Sequence, residues 1–78
     1  MYSYMKIRFL KTLAVEIIDE RMEEVWDKTF FKWAELNVES IDLAGKFAIL
    51  TTYEGQQLMD IPRDAFEEID EKKKLDIV

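Results

Sequence analysis

Seventy-eight residues with 49% apolar and 36% charged side chains make one small globular domain, able to bury only about 60% of the surface its unfolded chain exposes. The chain has no Cys, which removes disulfides and thiolate metal ligands, and no His, which removes the side chain that titrates near neutral pH; thiol and imidazole catalysis are excluded. A formal charge of −6 works against binding a phosphate backbone, and the longest apolar run, "FAIL", falls far short of a membrane span, so a cytoplasmic protein without a membrane partner is expected.

In chain order, Met5, Ile7 and Phe9 alternate with Lys6 and Arg8, the period of a half-buried strand. Leu13, Val15 and Ile17 alternate with Ala14 and Glu16 and predict a second strand over 13 to 18. "DERMEEVWD", 19 to 27, is polar with few apolar insertions and reads as a long loop or irregular hairpin arm. A competing helical reading exists, because Val15, Ile18, Met22, Val25, Trp26, Thr29 and Trp33 recur at spacings of three and four. Ala34, Leu36 and Val38 then alternate with acids and Asn37, and Ile41 and Leu43 continue the apolar supply to a break at Ala44-Gly45, a strand ending in a turn. Phe47, Ile49, Thr51 and Tyr53 alternate with Ala48, Leu50 and Thr52 before Glu54-Gly55, where glycine tolerates positive φ, and "QQLMDI" returns as the second arm of a hairpin. Pro62 cannot donate to a ladder and ends that arm; "RDAF" fits one tight helical turn, and Phe66 to Ile69 fit a last short strand. "DEKKKLDIV" reads as a charged tail.

These elements predict an all-β fold: a small closed or partly closed barrel of five or six strands with one short helical turn near residues 62–66. A single domain over 1–71 is expected, with 1–4 as an extension and 72–78 as the tail. The order resembles SH3-like barrels, in which a Pro-led turn also precedes the last strand, here "IPRDAFEEI". In signalling members of that class an aromatic of this turn helps line a proline-peptide groove, and Ala65 stands in its place, so the resemblance implies fold rather than proline-peptide binding. The pattern from Met5 to Leu10 and from Pro62 to Glu67 is also similar to short uncharacterised bacterial and phage-encoded proteins. That likeness implies Met5 as the usual start and a mobile-element origin. Where it leads from Phe31-Lys32 into a Gly, this chain has Trp33, which implies that any backbone role of the Gly is lost.

No catalytic residue, cofactor or metal site is expected. The carboxylates of "MDIPRD", Asp60 and Asp64, are read as solvent-facing and turn-capping, and the acids of 19 to 27 lack the ordered spacing of a calcium loop. Trp26, Phe31, Trp33 and Tyr53 are candidate partner-binding residues. If Phe30 shares the phase of Ala34, Leu36 and Val38 along a pleated strand, Phe31 and Trp33 point outward, and outward rings either lie beneath the acidic arm with Trp26 or form a contact patch. The leading expectation is a non-enzymatic module binding another protein through that patch, with a homodimer as one version. Net charge favours a basic partner. Glu16, Asp19, Glu20, Glu23, Glu24 and Asp27 form a candidate acidic surface, and the alternative is a nucleic-acid mimic that inhibits a DNA- or RNA-handling protein. Stacking of bases on the same aromatics ranks third, since only Lys28, Lys32 and Lys46 lie nearby in sequence.

Overall fold

The computed structural model describes residues 5–69, so the expected extension at 1–4 and the tail at 72–78 lie outside the described residues. Among the described residues eight strands follow one another: β1 Met5–Phe9, β2 Leu13–Asp19, β3 Glu24–Phe30, β4 Glu35–Val38, β5 Ser40–Ala44, β6 Phe47–Thr51, β7 Gln56–Pro62 and β8 Phe66–Ile69. A single 3-10 turn, Arg63–Ala65, stands between β7 and β8. The strands form two antiparallel sheets, one ordered β4-β1-β8 and the other β3-β2-β7-β6-β5. This is an all-β, partly open barrel. Among the described residues the ladder does not close: β3 and β5 remain edges of the larger sheet, and β4 and β8 of the smaller.

The chain passes between the sheets four times, at residues 10–12, 31–34, 39 and 63–65. Inward residues of both sheets meet in one core built from Ile7, Phe9, Val15, Ile17, Val38, Ala48, Leu50, Leu58, Ile61 and Ala65. Phe9 is fully buried, and its ring stacks on Phe30 at 4.7 Å between centroids. Burying a side chain of this kind contributes about 1.5–3 kcal/mol. Outside, Arg8 on the central strand of the smaller sheet bridges to Glu35 at 3.0 Å and Glu67 at 3.4 Å, its cross-strand neighbours on β4 and β8. These pairs are exposed, so they tune register more than stability.

The segment expected as a long loop or irregular arm is instead a regular hairpin. β2 and β3 pair from Leu13↔Phe30 to Asp19↔Glu24, leaving only residues 20–23 as a turn. Asp19 makes that turn: its side chain is turned inward, and Oδ1 accepts from the backbone N–H groups of Arg21 (3.1 Å) and Met22 (3.2 Å). Extended backbone through 13–19 and 24–30 also rules out the helical reading of this region. The strand expected to run from Ala34 to Leu43 is broken at Glu39, so that β4 and β5 serve different sheets. An unforeseen β3 and this break raise the strand count to eight. The hairpin at Gly55 (φ 87°), the strand end at Pro62 and the last strand stand where the sequence puts them.

In β7 the register slips: Ala48 faces Ile61 and Leu50 faces Leu58, so Ile49 stands opposite both Met59 and Asp60. Asp60 takes φ 53° at this bulge, a conformation that Asp tolerates and β-branched residues do not. Asp60→Val should therefore lower stability to urea by about 1–2 kcal/mol, while Asp60→Gly should leave it nearly unchanged. Equal effects of the two would remove backbone conformation as the reason for Asp at this position.

Candidate protein-binding surface

Residues 31–34 do not continue a pleated strand. β3 ends at Phe30, β4 begins at Glu35, and between them lies a tight turn closed by the Ala34 N–H donating to the Phe31 carbonyl at 2.9 Å. The turn is fastened to the corner after β1: the Trp33 N–H donates to the Phe9 carbonyl at 2.7 Å, and the Lys32 N–H donates to Thr12 Oγ1 at 2.9 Å. Phe31 and Trp33 are 68% and 58% exposed. Their outward position is as expected, but its cause is the turn rather than alternation along a strand. Such exposure also excludes the alternative in which they lie beneath the acidic arm.

Trp33 has φ 76°, the left-handed region that glycine occupies at little cost and a Trp does not. Lys32 Nζ lies 5.0 Å from the Trp33 ring centroid and shields one face of the indole.

The four aromatics singled out from sequence are not one surface. Trp26 pairs with Ile17 on the inner side of the β2–β3 hairpin and packs, half-buried, against the core. Tyr53 is exposed, but on the β6–β7 turn, beside the end of β2 where Asp19 meets Gln56; the 31–34 turn adjoins the other end, where Leu13 meets Phe30. A seven-residue strand separates them by roughly 20 Å. Phe31 and Trp33 alone remain of the expected patch.

Of the expected acidic surface, Asp19 is withdrawn: it is 5% exposed and engaged in its turn. Glu16, Glu20, Glu23, Glu24 and Asp27 are exposed, with Glu16 and Asp27 directly opposite each other. Asp64 makes no side-chain cap of the 3-10 turn; it lies 3.6 Å from Lys11 Nζ, and Asp60 is exposed on the bulge. Among the described residues no group of three His, Cys, Asp or Glu side chains is placed to hold a metal ion, and no helix is long and apolar enough to cross a membrane.

Sequence reasoning missed two clefts that flank Arg63. One, about 390 Å³, opens between the sheet edges β5 and β8 and is lined by Met5, Ile41, Leu43, Arg63, Phe66 and Glu68. The other, about 590 Å³, has Phe47 and Pro62 as its apolar part and Lys11, Lys46, Arg63 and Asp64 around them. Their residues come from distant segments, and only the pairing Phe47↔Pro62 brings the apolar pair together. No protein-family model, curated protein or solved structure matches the chain.

Proposed function

We propose that this protein is a non-enzymatic interaction module that contacts another protein through the turn bearing Phe31 and Trp33. The observation that supports this reading most is Trp33 itself: an exposed indole held in a left-handed backbone conformation by hydrogen bonds to the neighbouring corner. Strain of this kind costs about 1–3 kcal/mol and tends to persist where the residue serves something other than folding. Large aromatics on a preorganised turn are also suited to act as binding anchors, because little further ordering is needed when a partner arrives.

Affinity capture with the wild-type chain and with a Phe31→Ala, Trp33→Ala variant tests the reading. The wild type should retain a stoichiometric partner that the variant loses, while the urea midpoints of the two stay close, since neither ring lies in the core. Retention of the same proteins by both, or collapse of the variant's fold, would reassign the rings to a structural role.

A further inference from the structure

The 31–34 turn is one of four connections gathered at the same end of the barrel. Beside the Lys32–Thr12 bond described above, the Leu10 N–H donates to the Ala65 carbonyl at 2.8 Å and the Arg63 N–H donates to the Lys46 carbonyl at 3.0 Å. The Arg63 guanidinium reaches the Gly45 carbonyl at 3.1 Å through Nη1. Residues 10–12, 31–34, 45–46 and 63–65 are therefore stitched into one surface.

These segments carry Lys11, Lys32, Lys46 and Arg63, all exposed, against the single acid Asp64. The connections at the opposite end, residues 20–23, 39 and 52–55, carry Glu20, Glu23, Glu39 and Glu54 against Arg21. A net charge of −6 thus conceals a strongly polarised molecule with one cationic end. Lys46 has no ion-pair partner among the described residues, and Phe47, 47% exposed beside Pro62, gives the adjoining cleft an apolar wall.

We infer that this end docks an acidic segment of a partner protein, with carboxylates against Lys32, Lys46 and Arg63 and an apolar side chain in the cleft beside Phe47. The inference rests on the protein-interaction reading of the Trp33 turn and supplies the chemistry of the partner. It reverses the expectation of a basic partner, because opposite charges interact within a Debye length of about 8–10 Å and the local field decides, not the total. A short acidic peptide fits better than a nucleic acid. Asp42 and Asp60 stand two residues back from Ala44 and Pro62 along β5 and β7, so a continuous polyanion leaving the cationic end would run onto carboxylates.

Fluorescence anisotropy with the full chain tests this, using three labelled probes: a peptide alternating Glu with Leu, the same peptide with Lys in place of Glu, and single-stranded oligothymidine. The Glu–Leu peptide should bind best and weaken about tenfold between low and moderate salt. Lys32→Glu with Lys46→Glu should cost about tenfold or more without lowering the thermal midpoint, as both side chains are exposed and lie outside the core. Tighter binding of the Lys–Leu peptide, lost on Trp33→Ala, would keep the interaction reading and sink the acidic partner. Tighter binding of oligothymidine would sink both. Affinity for the Glu–Leu peptide that ignores salt, or that is absent, would also overturn the inference.

Discussion

Replacing Phe9 with Ala is expected to remove about 3–5 kcal/mol of stability, most or all of what a domain of this size possesses. Phe9 is fully buried at the end of the central strand of the smaller sheet, and its backbone and ring serve both sheets at once. Its N–H donates to the Ala34 carbonyl and its carbonyl accepts from Trp33, while its ring stacks on Phe30 from the edge of the larger sheet. Truncation leaves a cavity where the two sheets meet, with no disulfide to hold them together. Urea denaturation reads the loss. If the Ala variant does not fold, Phe9→Leu provides the graded version, with an expected cost under about 1.5 kcal/mol. A double-mutant cycle with Phe30→Leu should return a coupling of about 0.5–1.5 kcal/mol for the stacked pair. A Phe9→Ala variant as stable as wild type would mean that the core is not centred on this contact.

The second large effect is a separation of binding from stability at Trp33. Trp33→Gly and Trp33→Ala both delete the indole and its contact with Lys32, so both should lose the partner. They differ in the backbone. Ala keeps the left-handed penalty of about 1–2 kcal/mol, whereas Gly removes it at an entropic cost of about 0.5–1 kcal/mol in the unfolded chain. The Gly variant should therefore be the more stable of the two, by up to about 1 kcal/mol, and no less stable than wild type by more than a few tenths. A Gly variant that unfolds more readily than the Ala variant would show that the conformation is unstrained, and the main support for a functional Trp33 would go with it.

These two residues also mark the boundary of what the sequence reveals. Phe9 was readable: Met5, Ile7 and Phe9 alternate with cations, and period two places all three on one face. The Gly55 hairpin, the stop at Pro62 and the short closing strand were readable for a related reason, since each depends on the φ freedom or missing donor of one residue and its immediate neighbours. β3 was not. It is an edge strand whose outward residues are Val25, Asp27 and Thr29 and whose inward side mixes half-buried Trp26 and Phe30 with exposed Glu24 and Lys28, so "EVWDKTF" has weak alternation, and pairing to β2 supplies what its own pattern lacks.

What the sequence determined by itself is therefore the all-β class, the inward face of β1 and β2, and the surplus of rings near residue 31; in β6 the inward phase falls on Ala48, Leu50 and Thr52, the reverse of the Phe47, Ile49, Thr51 and Tyr53 alternation. Strand period and turn chemistry are local, and they survive without knowledge of neighbours. The tertiary structure alone decided that Trp26 belongs to the core, that Tyr53 lies at the far end, that Asp19 closes a turn, and that Trp33 occupies a glycine's conformation. It alone also gathered Lys11, Lys32, Lys46 and Arg63 on one end of an acidic protein. Proximity between connections far apart in the chain is set by how the two sheets cross, and a linear charge count averages that away.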